Sequence, residues 1–540
     1  MISYPAESRT DKPAAPSVAW SRKTWAALLL ILTCCTFLVH GYHPFAEDGG
    51  LYATGIEHTL DPALFPHYTD FVTEHLRFSV FAPSVAMLVR VTHLSLSWVL
   101  LLLDLFSIWL TLFAGRQVLR RVLPAVYERA QLAGVALMAA WWTLPVAGTS
   151  LILMDPYVTA RSFSTPLSLL AIAIALDDWD WPWTRSRSML FCVLCLLGGA
   201  ELHPLMAAYG FGFVVTLRAS RTQLKWETRL VAWGALAMSA VALGAVLQAY
   251  APPESAALRL AAATRYYWFL SQWQWYERFG LIGPLLVLAA VTILLRRRGV
   301  SASVTALCHA CVVVGAIAVL NAALFARASG AEHFVARFQV LRVYVLVYAL
   351  MSLLLGATIY QLCEDARWRW RSKIAAGVLG LIPVSVIAVS ACVMGYVQRR
   401  SFPMSSHIEL PDRSARSANP WVQAFLWVGE NTSRDALFAL DAKYVNTEGE
   451  DAQNFRALAM RSALPDYSKD GGEASITPQL AAAWQQGAAA QARLSELADD
   501  VRDQRLLPFG VTWMVLHSQA VTDHACPYDN GTVKVCRLAP

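Results

Sequence analysis

Apolar runs close to the length of a membrane-spanning helix recur along this chain between residues 25 and 396. A bilayer core about 30 Å thick requires roughly 20 apolar residues in a helix. The runs lie at about 25–40, 95–115, 131–151, 158–176, 230–249, 279–295, 302–325, 340–361 and 374–396. With 56% hydrophobic and 15% charged residues, the chain also has too little polar surface to stay soluble at 540 residues. The sequence therefore predicts a multi-pass integral membrane protein.

Short clusters of arginine and lysine separate these apolar runs between residues 22 and 373. Such clusters remain on the cytoplasmic side of a membrane, so they orient the chain. The rule predicts an inner amino end, an outer carboxyl end and about eleven spans, with residues 188–217 divided into two short helices. Because the net charge of +6 is distributed among these clusters, it does not indicate nucleic-acid binding.

The segment 78–93 is apolar enough to cross the membrane but contains Pro83, Arg90 and His93. If it crossed, the basic cluster that starts at Arg116 would face outward. We therefore expect this segment to lie along the outer interface or to re-enter from it. A crossing remains the alternative.

After about residue 396 the composition becomes that of a soluble domain. Apolar runs at 436–440, 511–516 and 532–538 predict strands, and Asn419 before Pro420 predicts the start of an amphipathic helix. We expect three parts, which are a cytoplasmic tail over 1–24, a membrane domain over 25–396 with a first outer loop at 41–94, and a small α/β domain over 397–540 outside the cytoplasm. In an oxidising outer compartment, Cys526 and Cys536 are candidates for a disulfide across a turn.

Two adjacent acids, Glu47 and Asp48, open the predicted outer loop directly after the first span. A lipid surface attracts basic residues rather than acids, so an acidic pair at this depth indicates a functional site. Gly49 and Gly50 beside the pair let a ligand approach the backbone. A carboxylate next to a hydroxyl can accept its proton as a general base.

Other polar residues of the predicted outer loops have complementary chemistry. Aromatic rings can stack on sugars, and arginines at the bilayer edge can bind a phosphate. The candidates are Asp155, Arg161, His203, Tyr267, Trp273, Arg337 and Arg342. Each has a simpler interpretation as well, because outer aromatics often form an interfacial belt, outer arginines often extend to lipid phosphates, and a histidine before a proline can belong to a helix turn.

The segment Glu47-Asp48-Gly-Gly-Leu-Tyr52 after the first span resembles the start of membrane glycosyltransferases of the GT-C fold, which include protein mannosyltransferases and aminoarabinose transferases. An acid at the outer end of the third span, here Asp155, is their second shared feature. The resemblance implies a mainly α, GT-C-like polytopic helix bundle with a small carboxyl-terminal α/β domain. It also implies a location in the bacterial inner membrane and a role in building the cell envelope.

The activity implied by this resemblance is inverting transfer of a sugar from a polyprenyl-phosphate donor to a glycan, lipid or protein acceptor. Asp48 would be the first choice for the base and Glu47 the second. Asp155 would orient the acceptor or bind a divalent metal, where members of the family use one. The donor phosphate would be held by arginines, and the candidates are Arg161, Arg337 and Arg342.

Two other functions remain open from the sequence. Asp104 within the second predicted span is a deep acid of the kind that transporters or flippases of lipid-linked substrates use. Asp441, after a predicted strand, is placed where α/β sheets often bind a ligand, so a non-catalytic assembly role in envelope polysaccharide synthesis is the third possibility.

Overall fold

The computed structural model describes residues 20–124, 127–177, 187–296, 302–369, 373–411, 417–440 and 453–538. The amino-terminal tail before residue 20, and Asp441, lie outside these ranges. The described part up to Ser401 is helical throughout apart from its connecting loops. Its helices are α1 Arg22–His40, α2 Asp48–Leu60, α3 Asp70–Thr73, α4 Phe81–Thr92, α5 Leu96–Val122, α6 Glu128–Ala140, α7 Arg161–Ala175, α8 Arg187–Leu202, α9 Pro204–Ala219, α10 Trp226–Ala249, α11 Ala256–Ala263, α12 Trp275–Arg296, α13 Ala302–Phe325, α14 Tyr344–Arg369 and α15 Lys373–Ser401.

Seven helices of the described part are long and apolar enough to cross a membrane, namely α1, α5, α10 and α12 to α15. Helices α4, α7 and α9 are apolar but shorter. Helix α14 is the most enclosed of the long ones, whereas most of the apolar surface of α10 and α15 faces away from the protein. Apolar side chains with no protein neighbour are stable against lipid, so the chain is an integral membrane protein.

The region 188–217 forms two helices, as predicted, because Pro204 begins α9 directly after α8 ends at Leu202. Helix α4 has 12 residues, and at 1.5 Å per residue it extends about 18 Å, well short of a bilayer core. The prediction of one long helix over 131–151 is wrong. Helix α6 ends at Ala140, and an isolated antiparallel bridge joins Pro145 to Ile152 in the loop that follows.

The chain after Ser401 folds around a five-stranded sheet in the order β2-β1-β3-β5-β4. The strands are β1 Leu437–Leu440, β2 Ser462–Ala463, β3 Trp513–His517, β4 Tyr528–Asp529 and β5 Val533–Arg537. The helices are α16 Pro420–Asn431, α17 Gln453–Ala459, α18 Lys469–Ile476, α19 Ala481–Ala490 and α20 Asp499–Leu506. Strand β1 is parallel to β2 and β3, and β5 is antiparallel to β3 and β4.

Both faces of this sheet are covered by helices. Phe438 on one face packs in a cluster with Phe425 of α16 and Phe455 of α17, and Leu437 on the other packs with Leu494 and Leu506. Asn419 caps α16 by accepting a hydrogen bond from the Trp421 amide at 3.0 Å, as its position before Pro420 predicts. The result is the small α/β domain expected from the sequence.

The α/β domain lies on one end of the helix bundle. Helix α17 packs against α2, and α18 and α19 pack against α11. The connection after α15 also returns to the start of the first loop, where Ile408 forms a bridge with Tyr42. We call this end of the bundle, formed by residues 41–95, 251–274 and 326–343, the loop face.

Candidate active site

The acid pair lies at the amino end of α2 on the loop face. Glu47 precedes the helix with a positive φ of 50°, and Asp48 is its first residue. A Cβ on Gly49 would lie 2.5 Å from the carbonyl oxygen of Pro44, so this tight turn requires glycine. The side chains of Glu47 and Asp48 are 51% and 47% exposed, which leaves both carboxylates accessible to a substrate.

Lys469, the first residue of α18, reaches this acid pair from the α/β domain. Its Nζ lies 2.5 Å from Glu47 Oε2 and donates a hydrogen bond to Asp48 Oδ1 at 2.9 Å. The surrounding protein disfavours a charge on Asp48, but the Lys469 ammonium outweighs this and lowers the pKa of Asp48 to about 2. Asp48 is therefore ionised at neutral pH.

A buried ion pair fixes the backbone that carries Lys469. Arg456 donates to both oxygens of the Asp470 carboxylate, at 2.8 and 2.7 Å. The Asp470 carboxylate also accepts from the Asp466 amide, and the Asp466 carboxylate accepts from the Asp470 amide. Because Lys469 is the residue before Asp470, these contacts set where its side chain starts.

Arg265 joins the same segment to the membrane domain. Its guanidinium donates to the carbonyl oxygens of Ser468 at 2.7 Å and Tyr467 at 3.1 Å. Arg265 lies between α11 and α12 and is buried, with 8% of its surface exposed. The segment with Lys469 is thus held from both sides of the boundary between the two parts of the chain.

Asp155 and Arg161 form a second ion pair close to the first. The Arg161 guanidinium donates to the Asp155 carboxylate, and also to the carbonyl oxygen of Ile152 at 3.0 Å. Both side chains are buried. Arg161 and Arg342 are near enough to Asp48 to favour its ionised form. Lys469, Arg342 and Arg161 therefore all favour a negative charge on Asp48, although the charge of Arg161 is balanced by Asp155.

Arg342 lies over the ring of Tyr267, with its guanidinium carbon 5.4 Å from the ring centre. Cations are attracted to an aromatic face, so this stacking orients the arginine. A separate cavity of about 120 Å³ lies beside the acid loop. Its lining residues are Tyr42, Pro44, Phe45, Ser97, Ser406, Ile408, Glu409, Leu410, Pro411, Ser417, Val422 and Leu458.

The structure is similar to the archaeal oligosaccharyltransferase AglB from Archaeoglobus fulgidus, solved in complex with an inhibitory peptide and a dolichol-phosphate. The TM-score is 0.51 at 11% sequence identity, and the match covers 92% of this chain and 70% of that one. The chain has the GT-C fold. A second structure, the Archaeoglobus fulgidus oligosaccharyltransferase with Zn and sulfate, matches with a TM-score of 0.44 and 14% identity over 91% of this chain and 68% of that one. No protein-family model and no curated protein matches the sequence.

On this GT-C fold, Arg337 forms an ion pair with Glu254 rather than with the acid pair. It lies 2.5 Å from Glu254 Oε1, and His333 Nδ1 lies 2.9 Å from the other oxygen of the same carboxylate. This contact ties the loop before α11 to the loop before α14. The charge of Arg337 is thus paired with Glu254 in this structure, and its role in holding a phosphate stays a prediction.

Two further candidates, Trp273 and His203, have structural contacts in the bundle, and Trp273 lies in the core rather than in an interfacial belt. The Trp273 ring is 2% exposed and packs on Gly148, so it belongs to the core and has no face open to a sugar. His203 caps α9, where its Nδ1 accepts a hydrogen bond from the Met206 amide at 3.4 Å. Both residues stabilise the GT-C bundle.

Cys526 and Cys536 are joined by a disulfide that holds β5 to the segment before β4. Lys469 and Arg265 are not among the site residues predicted from the sequence, which all lie in the membrane-domain loops. Lys469 lies in a polar segment of the α/β domain with no motif around it. The one signal was the acid pair itself, since two adjacent carboxylates need a cation nearby.

Proposed function

We propose that this chain is a membrane glycosyltransferase that moves a sugar from a polyprenyl-phosphate-linked donor to a hydroxyl of a glycan, lipid or protein acceptor. The observation that carries the proposal is the accessible Glu47–Asp48 pair, with Asp48 ionised, at the loop face of a GT-C fold. A general base for such a transfer must be a deprotonated group that the acceptor hydroxyl can reach, and Asp48 meets both requirements.

In the proposed reaction the acceptor oxygen forms a bond to the anomeric carbon of the sugar. The bond from that carbon to the phosphate oxygen breaks, and its electron pair stays on the phosphate. The acceptor proton passes to the Asp48 carboxylate, with Glu47 as the second candidate. A carboxylate with a low pKa is a weak base, but it is always deprotonated. Late in the step the hydroxyl becomes acidic, because its oxygen is bonding to an oxocarbenium-like carbon, so a weak base can accept its proton.

The leaving phosphate requires positive charge. Arg342, stacked over Tyr267, is the candidate that supplies it, because Arg161 is already paired with Asp155. The dolichol-phosphate in the similar AglB structure supports a lipid-phosphate donor. The cavity beside Pro44 and Phe45 offers room next to the acid loop for part of an acceptor.

We further propose that the loop face and the α/β domain lie outside the cytoplasm of a bacterial cell, at the inner membrane. The Cys526–Cys536 disulfide supports this side, since disulfides persist in oxidising compartments. The acceptor would then belong to the cell envelope.

The test compares cells that carry the wild type, Asp48→Asn or Asp61→Asn. Asp61 is the matched control, because it is an acid of the same loop that pairs with exposed Arg434 and lies beyond the far end of α2. Mass spectrometry of polyprenyl-phosphate sugars and surface glycans is expected to show one lipid-linked sugar accumulating in the Asp48→Asn cells only.

Normal surface glycans in the Asp48→Asn cells, with the variant present at wild-type levels, would remove Asp48 as the base. Transport is distinguished in proteoliposomes. Movement of a lipid-linked substrate across the membrane without any chemical change would replace the transferase by a flippase.

A further inference from the structure

The acid pair invites comparison with a metal site, because adjacent carboxylates in glycosyltransferases can hold a divalent ion. Ca²⁺ takes six to eight oxygen ligands, whereas Mg²⁺ can bind through one or two carboxylates and several waters. Within the described ranges, no group of three or more Asp, Glu, His or Cys side chains converges to hold a metal. Of the other acids near the pair, Asp155 is paired with Arg161, and Glu473 favours its protonated form because burial raises its pKa to about 8. The acid pair could therefore hold a divalent ion only if no other cation lay between its two carboxylates.

A cation of the protein itself already lies at the pair. Lys469 Nζ is within 2.9 Å of an oxygen from each carboxylate, which is the distance of charge-assisted hydrogen bonds. The lysine side chain is 19% exposed, so solvent screens the contact only in part. One ammonium against two carboxylates leaves a single net negative charge.

The position of this ammonium is built into the fold. The residue that follows Lys469 is Asp470, and it is held by an ion pair with Arg456. The two side chains are 0% and 4% exposed, respectively. Arg265 of the membrane domain holds the carbonyl oxygens of the two residues that precede it. A surface lysine that paired by chance would not have its backbone fixed by two buried arginines.

We propose that Lys469 is the resident cation of the acid pair, so that this site works without a divalent metal. The inference rests on the proposed transferase function for its catalytic meaning. The ammonium keeps Asp48 deprotonated and reduces the repulsion between the acids and an incoming phosphate-bearing donor. It acts on the reaction through Asp48, and is therefore a positioning residue.

The test measures Mn²⁺ binding to the purified full-length chain in detergent by electron paramagnetic resonance. The wild type is expected to bind no Mn²⁺ at the acid pair. The Lys469→Ala variant, with two uncompensated carboxylates, is expected to bind Mn²⁺ at the acid pair, with water completing the coordination of the ion. Lys469→Arg keeps the charge and is expected to show no gain, and the double variant Lys469→Ala with Asp48→Asn is expected to lose the gain.

Two outcomes would overturn the proposal. One is Mn²⁺ binding by the wild type that Asp48→Asn abolishes, and the other is a Lys469→Ala variant that is folded and gains no Mn²⁺ affinity. If Lys469→Ala does not fold, as judged by thermal unfolding, Lys469→Gln with a side chain of similar length takes its place. Metal binding needs no turnover, so this result is independent of whether Asp48→Asn abolishes glycosyl transfer.

An activity measurement completes the test once a donor and acceptor are known. Dialysis against EDTA is expected to leave transfer by the wild type within twofold of its starting rate. Added Mn²⁺ is expected to raise the activity of Lys469→Ala but not of Lys469→Arg. A wild type that loses transfer in EDTA and regains it with Mn²⁺ would contradict a resident lysine cation.

Discussion

Lys469 Nζ donates a hydrogen bond to Asp48 Oδ1 at 2.9 Å across 421 positions of sequence. The contact joins the first helix of the loop face to the α/β domain that ends the chain. The Lys469 ammonium favours the ionised form of Asp48 and lowers its pKa to about 2, against the effect of burial. The α/β domain therefore contributes directly to the charge of the candidate active site.

The buried Arg456–Asp470 pair is expected to be essential for the stability of the α/β domain. Asp470→Asn removes the negative charge and one of the two acceptor oxygens that face the buried Arg456 guanidinium. Breaking such a pair costs roughly 3–5 kcal/mol. Chemical unfolding of the full-length chain, followed by tryptophan fluorescence, measures the loss. Arg493→Ala is the matched control, since that arginine and its partner Glu496 are exposed, and a similar loss in both variants would contradict the prediction.

Arg265 is expected to keep the segment before Lys469 rigid. In Arg265→Ala the carbonyl oxygens of Tyr467 and Ser468 lose their donors, and the amides of residues 466–472 should exchange with deuterium faster by about tenfold, which corresponds to about 1.4 kcal/mol of local opening. Hydrogen exchange with mass spectrometry measures this. Arg278→Ala serves as the control, because Arg278 donates to the carbonyl oxygens of Leu270 and Ser271, which lie just before its own helix α12. Unchanged exchange in Arg265→Ala would show that Arg456 alone holds the segment.

Gly49→Ala is expected to displace the acid pair. The new Cβ would lie 2.5 Å from the Pro44 carbonyl oxygen and 3.2 Å from the Tyr157 ring, so the backbone at Asp48 must move. A displacement of about 1 Å in a catalytic group can reduce a rate by about a hundredfold. Glycosyl transfer in cells, measured beside Gly212→Ala, provides the comparison, because the Gly212 Cβ would meet nothing within 4 Å. Equal transfer by the two variants would mean that the loop tolerates the change.

Glu473 is expected to make stability depend on pH between about 4.5 and 8. Burial, followed by the nearby carboxylates of Asp470, Asp48 and Glu74, raises its pKa from 4.5 to about 8. Because the folded state prefers the protonated form, stability is highest below the unfolded pKa and declines as the pH rises towards 8. Glu473→Gln mimics the protonated side chain, so its thermal unfolding midpoint should decline less than that of the wild type from pH 5 to pH 8.

The control for this pH effect is Glu496→Gln, an acid on the surface of the same domain that pairs with Arg493. Its unfolding midpoint is expected to follow the wild type across the range. A Glu473→Gln curve parallel to the wild type would show that Glu473 does not titrate with a raised pKa.

The sequence by itself determined the features that depend on neighbouring residues. Long apolar runs predict helices such as α10 and α13, Pro204 separates α8 from α9, and Asn419 starts α16. The acid pair beside two glycines also marked the candidate site, because its composition is unusual at the end of a span.

Tertiary structure alone decided what each charged or aromatic side chain contacts. Lys469 reaches Asp48, Arg337 is taken by Glu254, and Trp273 fills a space against Gly148. The physical reason is that helix and strand propensities act over a few residues, whereas ion pairs and core packing are set by how distant segments fold together. The sequence could therefore locate the acids, but only the fold could supply their cation.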